Sequence, residues 1–304
     1  MQQVKISVII CSYNRQEYII QALESLYHQS LPKSLYQVIV VDNNSSDNTP
    51  QICRDYIASH PDYNIIYLTE TRQGASYARN TGAAASVAPL LAFMDDDAIA
   101  HPHFLERIIQ FFESHNDATG MGGRIIPKYI PEEPKWMSHF VASLVGNFDY
   151  GPQVVPFKAG KYPLESNMVV LKKAFDQIGG FNTDLPGVAG TLRIGGEGKD
   201  FFLKLQLAAG KIYYDPSVVV EHVVETNKLT REYMYRVASG IGRGERVRML
   251  AKGRYAYFNK VLEYLFKLGA SLVLAVIYVL QGNPAKAMPV IRFRIDALKG
   301  LFNR

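Results

Sequence analysis

The chain has 304 residues, 48% hydrophobic and 20% charged, a composition that excludes a disordered or fibrous protein and allows a sizeable core. Its two cysteines, Cys11 and Cys53, lack metal-ligand spacing, which excludes a zinc site or a disulfide framework and predicts reduced, buried thiols. The net charge of +5 hides an asymmetry: Arg231 to Arg304 holds 14 Lys/Arg against 4 Asp/Glu, net +10, and the preceding residues hold 19 against 24, net −5.

In the first half, short apolar runs alternate with amphipathic stretches, the pattern of strand and helix units around a mostly parallel sheet. Ile6 to Cys11 reads as a buried strand, and Glu17 to Gln29 puts Ile20, Leu23, Leu26 and Tyr27 on one helical face. Gln37 to Val41 is the next strand. It runs into the turn-rich Asp42-Asn43-Asn44-Ser45-Ser46-Asp47, which leads to a helix from Thr49 to Ser59. A third strand, Asn64 to Leu68, precedes Arg72-Gln73-Gly74 and a helix from Ala75 to Ala85. Leu90 to Met94 is a fourth strand and opens directly onto Asp95, Asp96 and Asp97. Each loop thus lies at the carboxyl end of a strand, the edge where open α/β sheets bind ligands.

Beyond a helix from Pro102 to Ser114 the pattern loosens. Pro127 to Lys161, rich in Pro, Gly and aromatics around the single Trp136, reads as a loop-rich insertion that shapes an acceptor site or acts as a lid. Leu164 to Leu171 reads as strand, Asp200 to Ala209 as helix, and Lys211 to Tyr214 and Ser217 to Val220 as strands. From Thr230 onward the character is helical. Leu268 to Leu280 is apolar all round but shorter than the roughly 20 residues that span a bilayer; Ala285 to Phe302 mixes apolar residues with Lys286, Arg292, Arg294 and Lys299. Together they predict a helical pair in or on the membrane interface; the alternative is a pair packed on the enzyme or on a second copy in a homo-oligomer. The basic residues interleave with aliphatic runs instead of aromatic platforms, so the expected partner is an anionic membrane surface and not nucleic acid. Met1 to Lys5 leads straight into a strand, without the features of a leader, which places the amino-terminal part in the cytoplasm.

Three adjacent aspartates repel one another unless a cation or water intervenes, and their hard oxygens suit Mg²⁺ or Mn²⁺. The strings SVIICSYNR (Ser7 to Arg15), VIVVDNNSSDNT (Val38 to Thr49), RQGASYARNTG (Arg72 to Gly82) and LLAFMDDDA (Leu90 to Ala98) resemble the family 2 glycosyltransferases of the GT-A fold. GGFNTDL (Gly179 to Leu185), GGEGKDFFLKLQLAAGKIYYDP (Gly195 to Pro216) and the following His222 are similar to the family's second half. The match covers roughly residues 4 to 225 and is specific in combination.

The resemblance implies a Rossmann-like α/β catalytic domain with helices flanking its sheet over residues 1–228, and a basic helical appendage over 229–304. It implies inverting transfer of one sugar from a nucleotide-diphosphate sugar, a UDP-sugar by preference, to a glycan or a lipid-linked or surface-polysaccharide precursor. Tyr13, Asn14, Arg15, Asp42 and Asn44 would line the nucleotide, and Arg72, Arg79 and Asn80 would orient nucleotide or diphosphate. Asp97 would be the leading metal ligand, with Asp95 and His222 beside it. Asp95 and Asp96 would approach the ribose or hold metal-bound water. The base would be Glu197 or, second, Asp200; Gly198 stands where many relatives carry a second acid. Bland alternatives accompany these roles: Asp42 opening an Asx turn, Arg79 pairing with a structural carboxylate, His222 simply buried, and Glu197 or Asp200 capping a helix. Among rival functions, a nucleotidyltransferase would carry a glycine-rich basic loop where this chain has Ser12-Tyr13-Asn14-Arg15. An inactive sugar-nucleotide-binding scaffold is suggested only by Gly198. The Gln-any-any-Arg-Trp motif of processive synthases is absent from the sequence, which points to one sugar per encounter.

Overall fold

The structure is a computed structural model that describes residues 3–189, 192–208 and 210–303. In chain order the elements are β1 (Ile6–Ser12), α1 (Ile19–Tyr27), β2 (Tyr36–Asp42), α2 (Thr49–Ser59), β3 (Ile65–Thr69), α3 (Ala75–Ala85), β4 (Leu90–Asp95), β5 (Ala98–Ala100), α4 (Phe104–Ser114) and β6 (Ala118–Ile130). There follow α5 (His139–Ala142), β7 (Val155–Pro156), β8 (Asn167–Leu171), α6 (Lys172–Gln177), β9 (Gly187–Ala189), β10 (Leu192–Ile194), α7 (Glu197–Leu207), β11 (Lys211–Glu225), α8 (Arg231–Ala251), α9 (Arg254–Leu280) and α10 (Ala287–Phe302). They form two compact units. The first comprises Met1–Ile126, Phe148–Thr183 and Gly198–Val223; the second comprises Pro127–Asn147, Asp184–Glu197 and Val224–Arg304.

The first unit is built on a sheet of order β3-β2-β1-β4-β8-β6-β11-β5, with β7 also paired to β11. β3, β2, β1 and β4 run parallel; β8 lies antiparallel to β4, and β5 antiparallel to β11. This is the expected α/β sheet, its parallel half continued by antiparallel strands. Alternation along β1 sends its side chains to opposite faces. Ile6, Val8 and Ile10 join Ile19, Leu23 and Leu26 of α1 and Phe104, Leu105 and Ile108 of α4. On the other face Ile9 joins Ile39, Val41, Ala78 and the rings of Phe93, Phe175, Phe181, Phe201 and Phe202. Burying each such side chain contributes roughly 1.5–3 kcal/mol, which is why these runs settle as strands covered on both faces.

Register decides where the functional loops emerge. Ser12 pairs with Asp42, Cys11 with Asp95, and Asp42 with Thr69. The loops after β1, β2, β3 and β4 therefore share one edge. Cys11 is half-buried and Cys53 fully buried, so only the second matches the expectation for both thiols.

β6 has no counterpart in the sequence pattern, because Gly120, Gly122 and Gly123 break its apolar run. Those glycines admit close neighbours: a Cβ at Gly123 would strike the Val218 carbonyl and the Asn167 amide, and one at Gly122 would strike Pro163. The loop-rich insertion expected over Pro127 to Lys161 instead supplies the end of β6, α5 and β7, and is shared between the units. The two short strands expected after residue 211 are one, β11. Inside it the Asp215 carboxylate accepts the Ser217 N–H at 2.8 Å and its hydroxyl at 2.7 Å.

In the second unit, Met137, Val141, Val145, Met234, Val237 and Val290 form the main core, with Trp136 packed against it. The segment Gly240-Ile241-Gly242-Arg243-Gly244 lies within α8 and serves packing. A Cβ at Gly242 would overlap the Ala297 carbonyl of α10, and one at Gly300 would overlap the Ser239 carbonyl of α8, so the two backbones pass too closely for larger residues. α9 has 27 residues, longer than the apolar run Leu268 to Leu280 suggested. Among the described residues it is the one helix long and apolar enough to cross a membrane by length and composition, with 17% of its most apolar stretch buried. Tyr255, Phe258, Phe266, Val273, Val276 and Leu280 are exposed along it.

Candidate active site

The sheet edge of the first unit gathers most of the residues singled out in the sequence. The loops after β1 and β2 are laced together. The Asn14 side-chain oxygen accepts the Ser46 N–H at 2.8 Å, the Asn14 N–H donates to the Ser45 hydroxyl at 2.9 Å, and the Arg15 N–H donates to the Thr49 hydroxyl at 2.9 Å. Asn14 (φ 54°) and Asn44 (φ 65°) both have left-handed backbones, a conformation that asparagine tolerates better than most residues. Asn14 thus holds the loop as well as facing the edge; Asn44 is exposed and Tyr13 half-buried. Asp42 is buried, and its carboxylate receives the Ser45 N–H at 3.4 Å from each oxygen, a loose Asx-type contact.

Two side chains that the sequence did not flag hold the next loop. Asn43, buried, donates to the carbonyls of Glu70 (2.9 Å) and Arg72 (2.8 Å) and accepts the Gly74 N–H at 2.6 Å. Glu70, also buried, accepts from the Arg72 backbone and Nε at 2.9 Å each, from Arg72 Nη2 at 2.7 Å and from the Thr81 hydroxyl at 2.6 Å. The Arg72 guanidinium, with help from Thr81, holds the Glu70 carboxyl down at about 2. Arg72 is therefore anchored through one side of its fork while the side chain stays 66% exposed. Arg79 is buried, 4.0 Å from the Asp95 carboxylate and 5.3 Å over the Phe181 ring. Asn80 faces elsewhere: its amide donates to the Phe181 carbonyl and accepts the Phe181 N–H, both at 2.9 Å.

The acidic triplet forms the centre. Asp96 and Asp97 are buried, and the Asp95 side chain is 35% exposed. Arg15 approaches Asp96 at 3.4 Å and Asp97 at 3.9 Å, and His222 Nε2 lies 3.0 Å from Asp97 Oδ1. Burial and the neighbouring Asp97 push the Asp96 carboxyl up to about 7, against the pull of Arg15. β11 brings His222 to Ala98 on β5, immediately after the triplet, and the Val223 N–H donates to the Asp97 carbonyl at 2.9 Å.

One atom each from Asp95, Asp97 and His222 lie within 4.8 Å of one another. Two carboxylates and an imidazole suit Mn²⁺, and Mg²⁺ with less nitrogen preference, so the donor set fits the cation expected from the sequence.

The base candidates lie at the start of α7. Asp200 pairs with Lys204 one turn on, at 2.9 Å. Glu197, the helix's first residue, is buried and belongs to the second unit. Gly198, where the resemblance implies an acid, donates its N–H to Glu165 Oε1 at 2.8 Å; a Cβ there would overlap the Glu165 carboxyl group. Glu165 gave no sequence signal, because it lies 33 residues from its partner.

The sequence model of the family described as "Glycosyl transferase family 2" matches residues 7–179. The glucosyl-dolichyl phosphate glucuronosyltransferase of Haloferax volcanii is 27% identical over 189 residues, 60% of this chain and 57% of that protein. The poly(ribitol-phosphate) beta-glucosyltransferase of Bacillus spizizenii is 30% identical over 185 residues, 58% of this chain and 28% of that protein. The chain thus spans well under two thirds of either relative. Among solved structures, the mannosyltransferase PcManGT of Pyrobaculum calidifontis, in complex with GDP-Man and Mn²⁺, superposes with a TM-score of 0.66 at 18% identity, covering 99% of this chain and 88% of that one.

Proposed function

Because the chain belongs to glycosyltransferase family 2, we propose that it moves a single sugar from a UDP-sugar to a lipid-linked or surface-polymer precursor, with inversion at the anomeric carbon. The observation that carries this reading is the convergence of Asp95, Asp97 and His222 at the sheet edge, beside the loops that hold Asp42 and Arg15. Relatives that act on a dolichyl phosphate and on a ribitol-phosphate polymer support the acceptor class.

Asp42 accepts hydrogen bonds from the nucleobase edge, and Tyr13, Asn14 and Asn44 flank it. Arg72 and Arg79 face the diphosphate. Asp97, Asp95 and His222 would hold the divalent cation, which when bound would offset the negative charge of the departing diphosphate. In the reaction the acceptor oxygen bonds to the anomeric carbon as the bond to the donor's diphosphate oxygen breaks. The hydroxyl proton passes to a carboxylate near the opening of α7, for which the sequence offers Glu197 and Asp200.

We place the enzyme at the cytoplasmic face of the membrane, with the exposed apolar side of α9 and the basic residues of α10 meeting lipid. Flotation with anionic liposomes tests this: Phe266→Glu with Val273→Glu should reduce binding of the full chain, and unchanged binding would reject the surface. The activity test is a donor panel of UDP-glucose, UDP-N-acetylglucosamine, UDP-glucuronate and GDP-mannose, read by thermal shift with and without Mn²⁺ and by nucleoside diphosphate release. One donor should stabilise the chain only with the cation. Pyrophosphate release from a sugar 1-phosphate and a nucleoside triphosphate would instead identify a nucleotidyltransferase.

A further inference from the structure

Resting on glycosyl transfer as the reaction, we propose that Glu165 is the general base that receives the acceptor's proton. β8 lies antiparallel to β4 with Asn167 opposite Met94, one residue before Asp95. The chain leading into β8 therefore leaves the sheet at the edge where the triplet emerges, and Glu165 is two residues before Asn167. Its carboxylate is fixed there by the Gly198 N–H at 2.8 Å. Gly198 lies in the first turn of the 11-residue α7, so this carboxylate sits at the positive end of the helix, which favours its ionised, proton-accepting form.

The arrangement depends on residue 198 being glycine, since any Cβ there would occupy the volume of the Glu165 carboxyl group. Glu165 and a side chain at 198 are thus alternative tenants of one position. Glu165 is also half-buried, held in place yet reachable by a hydroxyl, whereas Glu197 is buried. In the step assigned to it, the Glu165 carboxylate takes the proton of the attacking hydroxyl, the oxygen of that hydroxyl bonds to the anomeric carbon, and the nucleoside diphosphate leaves with the electrons of the broken bond.

The test uses the full chain with Mn²⁺ and the panel donor it turns over, measuring nucleoside diphosphate release with water as acceptor. Glu165→Gln keeps an oxygen for the Gly198 N–H and removes the basicity. It should lower kcat on the order of 10²–10⁴-fold, with donor KM and the Mn²⁺-dependent thermal shift unchanged. The double variant Glu165→Ala with Gly198→Asp restores a carboxylate to the shared position and should recover kcat to within about tenfold of the wild-type chain, the recovery expected of a replaced base. Glu165→Gln within threefold of wild type, or a folded double variant with no recovery, overturns the assignment. A wild-type chain that neither binds nor turns over any panel donor defeats the glycosyl-transfer reading itself, an outcome separate from the variants' behaviour.

Discussion

Asn43 offers a test of how the sheet edge beyond β2 and β3 is held. Its three hydrogen bonds tie the end of β2 to the loop before α3, and those to the Glu70 carbonyl and the Gly74 N–H are buried, while that to the Arg72 carbonyl is partly exposed. Replacing Asn43 with alanine strands two buried backbone groups, at roughly 1–2 kcal/mol each in this setting, and releases a third that water can satisfy. The sum is about 3 kcal/mol, enough to speed amide exchange across Arg72 to Ser76 on the order of hundredfold if the loop opens locally. Asn43→Asp keeps the acceptor for Gly74 but turns an oxygen toward two carbonyls, so at neutral pH it should cost at least as much as alanine. Urea unfolding monitored by far-UV circular dichroism gives the global figure, and exchange mass spectrometry gives the local one. A loss below about 1 kcal/mol with unchanged exchange at Gly74 would mean that the loop does not depend on this side chain.

Removing the imidazole in His222→Ala should raise the Mn²⁺ concentration for half-maximal thermal stabilisation at least about tenfold, since loss of even a supporting partner costs a metal site that much; an unchanged titration would remove His222 from the site. Glu70 should confer acid sensitivity. Its carboxyl is lowered from 4.5 to about 2 by Arg72, so its stabilisation is fully present above pH ~4.5 and lost as pH falls toward ~2. Discounted for the exposed guanidinium, it amounts to about 2 kcal/mol, and the Tm gap between wild type and Glu70→Gln should shrink across that window. Gly242→Val should destabilise the second unit by about 3 kcal/mol through overpacking against the Ala297 carbonyl. Fluorescence of the single Trp136, in the same unit, should report an earlier transition, and an unshifted midpoint would contradict the close crossing of α8 and α10.

The parallel half of the sheet was legible because β1, β2 and β4 are buried on both faces and so read as apolar runs that end where their loops begin; β3, at the sheet edge, is half-buried and keeps the same kind of run. The triplet was legible for a related reason: LLAFM delivers it to the sheet edge, and the register of β4 against β1 does the rest. β6 escaped because its glycines answer to Val218, Asn167 and Pro163, none of them nearby in sequence. Asn43 and Glu165 escaped because each is defined by a partner 31 or 33 residues away that only the fold brings near; Glu70 escaped because a Glu two residues before an Arg is commonplace in sequence, and only its burial and its bond to Thr81 mark it out. α9 was half legible: its charged first turns mask the continuity of a helix that the apolar run Leu268 to Leu280 merely completes.

The interleaving of the two units in the sequence bears on how the chain can be handled and how it can have changed. The polypeptide passes from one unit to the other at 126/127, 147/148, 183/184, 197/198 and 223/224. A chain shortened near residue 228 keeps Pro127–Asn147 and Asp184–Glu197 while losing α8, α9 and α10, and so strands Met137, Val141 and Val145 without Met234, Val237 and Val290. Loss of activity in such a shortened chain could then reflect exposed apolar segments and aggregation as readily as a missing anchor. For the same reason the carboxy-terminal helices are no detachable cassette: a recombination event that exchanged them would have to carry compatible partners at two internal stretches of the catalytic sequence.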